Sequence, residues 1–399
     1  MKHDCSNLAI FGGNPAFGDE LHVGRPNIGD RKQFLKRVND ILDRRWLTNN
    51  GAYVQEFEQR LSEYLGVRHC IAMCNATIAL EITIRAIGMI GEVIVPSFTF
   101  VATPHSLKWQ EINPVFSDID PKTHNLDPSS VEKMITPRTT GIIGVHLWGR
   151  PCAVEELTEI ARKHNLKLLF DAAHAFGCSH KGQMIGNFGN AEVFSFHATK
   201  FFNTFEGGAI ATNDDDLANK IRLMKNFGFS GYDSVIYIGT NGKMNEICAA
   251  MGLTGLESLE YFIESNYRNY KAYQQNLNGL PGVKLVEYNE DGKNNFQYIV
   301  LEIDESETGM SRDTLMKILH AENVLARRYF YPGCHRMEPY KSISPHAGRL
   351  LPETESLSNR VLSLPNGTSI SIKDILTICN KIEIAINNSN ILCQNLQEV

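Results

Sequence analysis

Short apolar runs alternate with longer amphipathic stretches through most of the chain. Seven segments are apolar over strand length: His69–Met73, Val93–Pro96, Pro114–Asp120, Gly141–Leu147, Leu166–Phe170, Val193–Phe196 and Ala209–Thr212. Their near-continuous apolar character predicts strands buried on both faces, as in a parallel sheet. Between them the period changes. Val54–Leu65 carries Phe57, Leu61 and Leu65 on one face and stops at Gly66, which predicts an amphipathic helix. Helical spacing also marks Arg31–Arg44, Ile78–Ile87, Val154–His164, Asp215–Phe227 and Tyr261–Leu277. Gly228–Gly239 reads as a mobile loop and Thr240–Glu257 as a helix. Strands alternating with helices predict an α/β fold: a mostly parallel sheet sandwiched by helices.

The pattern changes near residue 280. Val283–Val286 and Phe296–Ile303 read as strands, Ser311–Ala321 as a helix, and the tail as helical with a polar end. These predict a smaller α+β unit. The expected division is 1–280, a large unit with an extended N-terminal arm, and 281–399, a small C-terminal one.

Composition narrows the function classes. The chain has 399 residues, 43% apolar and 21% charged, as in ordinary globular proteins with a sizeable core. A net charge of -6 argues against a nucleic-acid partner held by phosphate neutralisation. No apolar stretch approaches the roughly 18 residues of a membrane helix. Met1–Asn7 is polar and has no leader pattern, so a cytoplasmic protein is expected. The nine cysteines are scattered, with no C-x-x-C pair and no His/Cys ligand spacing. Reduced thiols and no metal site are the expectation.

Three places carry candidate chemistry. Ser195-Phe196-His197-Ala198-Thr199-Lys200 leaves a predicted strand and puts Lys200 on a loop; Gly207-Gly208 then lets the chain turn. A lysine among apolar and aromatic residues has its charged form disfavoured, so its amine becomes a nucleophile suited to Schiff-base chemistry. Alone, Lys200 could equally be a solvated loop lysine. Upstream, Leu166–Phe170 ends at Asp171, where ligands of open α/β sheets collect. A carboxylate for a ring nitrogen and a Schiff-base lysine are the protein groups a pyridoxal phosphate site needs. Asp171 could instead cap a helix begun by Ala172-Ala173. Third, Cys74-Asn75-Ala76-Thr77 joins a strand to a helix start. Free amides and the helix dipole there favour a phosphate, and Thr77 adds a hydroxyl. An ordinary helix cap explains the same residues.

Phe170-Asp171-Ala172-Ala173-His174, then Phe194 to Lys200 with Glu206-Gly207-Gly208, resembles the nucleotide-sugar aminotransferases of the DegT/DnrJ/StrS group. These are aspartate-aminotransferase-like, fold type I pyridoxal-phosphate enzymes with a seven-stranded-type sheet. The resemblance covers nearly the whole chain. Thr240-Asn241-Gly242-Lys243-Met244-Asn245-Glu246, Arg328 to His335 and Leu362-Ser363-Leu364-Pro365 match further family segments in order. The family's usual Gly before the phosphate-binding Thr is Ala76 here.

The resemblance implies a set of roles. Lys200 binds pyridoxal 5′-phosphate and moves the proton, Asp171 faces the ring nitrogen, and His174 sits beside the cofactor hydroxyl. Asn75, Ala76, Thr77 and Ser195 surround the phosphate, joined by Asn241 from a partner subunit, so a homodimer with shared active sites is expected. Phe100 lies over the pyridine ring, though an aromatic in such a run is commonly core. His197, Tyr331 and His335 lie toward substrate; a surface position explains His335 equally well. The implied reaction moves an amino group from glutamate to a keto-sugar nucleotide. Ser195-Phe196-His197 resembles members that aminate C4 of dTDP-4-keto-6-deoxyglucose; the alternative is C3 of the dTDP-3-keto-6-deoxy sugar. Relatives that dehydrate sugars carry His in place of the lysine, and Lys200 favours transfer. A non-catalytic regulatory protein is the second class of reading, disfavoured by the intact Lys200 and Asp171. A nicotinamide enzyme lacks its G-x-G-x-x-G.

Overall fold

The computed structural model describes residues 8–397; Met1–Asn7 and Glu398–Val399 lie outside it. Its centre is a seven-stranded sheet of β1 (His69–Met73), β2 (Glu92–Pro96), β3 (Asn113–Ser117), β4 (Thr139–Val145), β5 (Lys167–Asp171), β6 (Ala191–Ser195) and β7 (Gly208–Thr212). The spatial order is β1-β7-β6-β5-β4-β2-β3. Neighbours are parallel except for β7, which runs antiparallel to both β1 and β6. The fold is therefore α/β with a mostly parallel sheet, as its apolar runs predict.

Alternation along each strand sorts side chains to two covered faces. Val93, Val95, Ile143, Leu169, Val193 and Ile210 share one core with the helix Ala76–Ile87. Ile94, Ile142, Leu168 and Phe170 pack oppositely, against the helix Val154–Lys163. Each such side chain, fully buried, is worth roughly 1.5–3 kcal/mol. Both faces are covered, and apart from the fully partnered Glu192 of β6 the polar groups gather at strand ends.

Three registers decide which polar groups meet. Asp171 pairs with Val193 across β5 and β6, Ser195 with Gly208 across β6 and β7, and Gly208 with Met73 across β7 and β1. The segments leaving β5, β6 and β1 therefore emerge side by side.

A second, antiparallel sheet contains β8 (Val283–Leu285), β9 (Ile299–Ile303) and β10 (Val361–Leu364). Its core takes in Leu315 and Ile318 from Arg312–Ala321, Ile375 and Ile382 from Ile372–Asn387, and Tyr270 and Tyr273 from the long helix Leu259–Leu277. The N-terminal arm reaches this unit, where Leu21 and His22 pair in parallel with Val324 and Leu325.

Several expected boundaries move. The run from Pro114 ends as a strand at Ser117, because the Asp118 carboxylate turns to accept from the amides of Glu353 and Thr354. The helix from Asp215 stops at Met224; Phe227 and Gly228 have positive φ and reverse the chain. The expected loop at 228–239 contains a short hairpin, Phe229–Gly231 with Ser234–Val235. The helix expected from Thr240 begins at Glu246. Asn245 caps it by accepting from Cys248 N, while Lys243 extends alongside Met73 as an isolated antiparallel bridge.

Candidate active site

The loop leaving β5 makes no helix, so Asp171 is not a helix cap. Its Oδ1 accepts from Ala173 N at 3.0 Å and its Oδ2 from Thr103 Oγ1 at 2.7 Å. Burial pushes this carboxyl up from its ordinary pKa; the bonds from Thr103 and Ala173 and the nearby Lys200 charge pull against it. Three residues on, the buried His174 ring packs beside the stacked Trp148 and Phe330 rings, 5.9 Å from each. Its Nδ1 accepts from Trp148 N at 3.3 Å. Burial, and then the Lys200 charge, holds its pKa well below the usual histidine value, so the ring is neutral with its proton on Nε2. Nε2 has no partner among the described residues and is a free donor.

Lys200 follows β6 and is partly buried. Burial lowers its amine to about 8, opposed by the Asp171 charge. Burial thus drives both members of this pair toward neutrality, and their attraction only partly offsets it. Among the described residues the amine makes one hydrogen bond, at 3.4 Å, to Tyr298 Oη. Tyr298, Thr103 and Trp148 border these groups, and sequence reasoning assigned them no role. Each sits in an apolar or aromatic run that reads as core, and nothing local marks the difference.

The third cluster forms where β1 ends. Asn75 caps the helix Ala76–Ile87, its Oδ1 accepting from Ile78 N at 2.8 Å. The amides of Ala76 and Thr77 have no acceptor among the described residues. Ala76 has no positive φ, so alanine fits where the family commonly has glycine. Across from it, a Cβ on Gly208 would lie 2.8 Å from Ala76 N and fill the space over these amides. Ser195 is the strand partner of Gly208, so its side chain borders the same seat.

The remaining candidates scatter. Phe100 is 59% exposed, which rules out a core role; the core aromatic of that run is Phe98, edge-on to Trp148 and Phe330. Exposed His197 contacts Thr199 Oγ1 at 2.8 Å. Tyr331 lies under the Arg328 guanidinium at 4.4 Å. His335 is not on the surface: it is buried, with Nδ1 2.6 Å from Ser97 Oγ and Nε2 2.6 Å from Glu355. Both ring nitrogens are thus engaged in tying the loop after β2 to residues of the C-terminal unit. Asn241 is exposed, on a segment whose Gly242 carbonyl accepts from Cys74 N, beside the turn at Asn75.

A cleft of about 1210 Å³ lies elsewhere, between the helix Ala52–Leu65 and the hairpin after Phe227, and none of Lys200, Asp171 or His174 lines it. Chemistry, not volume, locates the site. A nucleophilic amine, a buried carboxylate, a free imidazole N–H and an amide seat for an anion form a donor set that fits pyridoxal phosphate. Among the described residues no group of side chains could hold a metal ion. No helix among them is long and apolar enough to cross a membrane.

Comparison with known proteins agrees with this chemistry. Residues 29–383 match the model of the DegT/DnrJ/EryC1/StrS aminotransferase family. The chain is 39% identical to the dTDP-4-amino-4,6-dideoxy-D-glucose transaminase of Shigella dysenteriae, over 89% of this chain and 96% of that one. It is 36% identical to the Escherichia coli transaminase of the same name, over 90% and 96%. Among solved structures, DesI in the presence of its TDP-sugar product superposes with a TM-score of 0.95 at 50% identity, covering 99% of this chain and 100% of that one. The chain belongs to the DegT/DnrJ/EryC1/StrS aminotransferase family and is a pyridoxal-phosphate-dependent aminotransferase.

Proposed function

We propose that the protein transfers an amino group from glutamate to C4 of dTDP-4-keto-6-deoxyglucose. The observation that carries this is the pairing of the Lys200/Asp171 site with relatives named for that C4 amine. When bound, the cofactor supplies an electron sink. The chain's own residues do the rest. Asp171 faces the ring nitrogen and keeps it protonated. His174 Nε2–H donates to the ring hydroxyl. The amides of Ala76 and Thr77, with Asn75 and Ser195 beside them, hold the phosphate, and Phe100 covers the ring. Lys200 would hold the cofactor and, with its amine free, would take a proton from the substrate carbon and give it back, which an amine with a pKa of about 8 can do near neutral pH. His197 and Tyr331 lie toward the sugar nucleotide, and His335 braces the wall behind them.

The same reading has the chain working as a cytoplasmic homodimer of two-lobed subunits, 1–280 and 281–399, with Asn241 completing the partner's phosphate seat. Support comes from exposed large side chains in the segment leading to Asn241: Tyr232, at the hairpin turn, is 101% exposed and Ile238, beyond the hairpin, 76%. All eight cysteines among the described residues are free.

The test supplies cofactor, glutamate and, separately, dTDP-4-keto-6-deoxyglucose, its 3-keto isomer and the GDP-linked 4-keto sugar, with products identified by mass and NMR. The expected product is the C4 amine of the dTDP sugar. Turnover of only the 3-keto isomer would replace C4 by C3, and preference for the GDP sugar would change the nucleotide.

A further inference from the structure

Among the described residues the Lys200 amine has one hydrogen-bond partner, and that partner comes from the other lobe. Tyr298 Oη lies 3.4 Å from Lys200 Nζ. Its position is fixed on every side. The Tyr288 hydroxyl clamps its backbone, donating to Tyr298 O at 2.9 Å and accepting from Tyr298 N at 3.1 Å. The Tyr298 ring sits 4.4 Å from the His174 ring and 5.2 Å, edge-on, from Trp148. Two residues of the same segment hold both catalytic loops. Asn295 Nδ2 donates to His174 O at 2.8 Å and Phe176 O at 3.0 Å; Gln297 Nε2 donates to Thr199 O at 3.3 Å. A strut at 295–298 thus crosses from the loop of Asp171 to the loop of Lys200 and ends in a phenol at the amine.

We infer that Tyr298 is a further catalytic residue, whose hydroxyl holds the Lys200 amine whenever that amine is free of the cofactor, in either protonation state. This rests on the assignment of Lys200 above. A hydroxyl both donates and accepts. It donates to the neutral amine. When the amine takes a proton from the substrate carbon, the hydroxyl turns and accepts from the ammonium. The phenol gains and loses no proton, and burial keeps it neutral by raising its pKa well above the usual tyrosine value. A carboxylate in its place would fix the amine in the charged form, and an apolar residue would leave it unheld.

The test uses the full chain freed of cofactor. Trace acetylation across pH, with the Lys200 peptide quantified by mass, gives the titration midpoint of the amine. The parent midpoint is expected near 8. Hydrogen bonds to charged groups are the stronger ones. Tyr298→Phe therefore removes more from the ammonium than from the amine and lowers the midpoint by about half a pH unit to one. Tyr273→Phe deletes a buried phenol whose hydroxyl donates to Pro365 O and holds neither Lys200 nor Tyr298, and should leave the midpoint in place. In the loaded enzyme, Tyr298→Phe should lower kcat about tenfold with KM for the sugar nucleotide changed less than twofold. An unmoved or raised midpoint in Tyr298→Phe, or equal shifts in the two variants, overturns the inference. Cofactor binding that survives in Tyr298→Phe with parental kcat overturns it too, while leaving the aminotransferase assignment intact. Failure of the parent itself to bind cofactor at Lys200 would strike that assignment instead.

Discussion

Two lysines of this fold, Lys225 buried and Lys200 partly buried, differ in how fully their amines are answered. Lys225, at the end of the helix Asp215–Met224, reaches Glu58 Oε1 at 2.8 Å and Ala72 O at 3.4 Å. Glu58 also accepts from Arg222 at 2.9 Å and from Ala72 N at 2.9 Å. Every strong group in that cluster is answered, and it ties the helix Ala52–Leu65 to β1 and the Asp215–Met224 helix. Lys200 has a single long bond to a neutral phenol, and a carboxylate whose charge only partly offsets burial. Both amines leave water, but only one is compensated. Partner saturation makes a buried lysine a strut; partner poverty is what the proposed role of Lys200 as a reagent requires.

The sharpest way to break the contrast is to remove each side chain's charge. Lys200→Ala should lower turnover by more than about 10⁴-fold, the upper end of what one general acid/base supplies, since the covalent anchor is lost as well. The visible-edge absorbance of bound cofactor should vanish, and far-UV circular dichroism should not change. Substantial residual turnover would unseat Lys200.

The converse experiment acts on stability. Glu58→Ala leaves Lys225 and Arg222 without their counter-charge. Breaking a buried pair this way costs about 3–5 kcal/mol, somewhat less here because Arg222 reaches solvent. Adding Lys225→Met should return much of the loss, because the apolar replacement needs no partner. Denaturant midpoints measure both. A loss below about 1 kcal/mol would mean that the cluster is not the strut described.

The sheet was legible because its strands are buried on both faces, which leaves unbroken apolar runs such as Leu168-Leu169-Phe170. Lys200 and Asp171 were legible because they follow such runs. Tyr298 was not: inside Gln297-Tyr298-Ile299-Val300 an aromatic residue reads as core, and only the clamp by Tyr288 turns its hydroxyl toward the amine. The surface reading of His335 failed for the opposite reason. A polar residue after Pro332-Gly333 suggests the surface, yet Ser97 and Glu355 satisfy both its nitrogens and allow burial. The helix start at Glu246 depended on the cap by Asn245, one of several Asn and Gly residues that could have ended the loop.

The smallest effect expected is the dependence of stability on pH, and it tests the cause of the contrast directly. Burial lowers the Lys200 amine from 10.5 in the unfolded chain to about 8 in the folded one. Between those values the unfolded state binds more protons, so this group makes stability rise with pH there. Below pH 8 both states are protonated and the slope disappears. At neutral pH the folded chain therefore carries the full cost of a desolvated ammonium, on the order of 3 kcal/mol at most. Lys200→Met should relieve it. The cofactor-free variant is expected to unfold at higher denaturant than the parent at pH 7, and the gap should close as pH rises from 8 toward 10.5. Lys225→Met should behave oppositely at pH 7, losing stability, because its ammonium is compensated by Glu58. A gap between Lys200→Met and the parent that stays constant across this range would mean that packing, not charge burial, separates the two lysines.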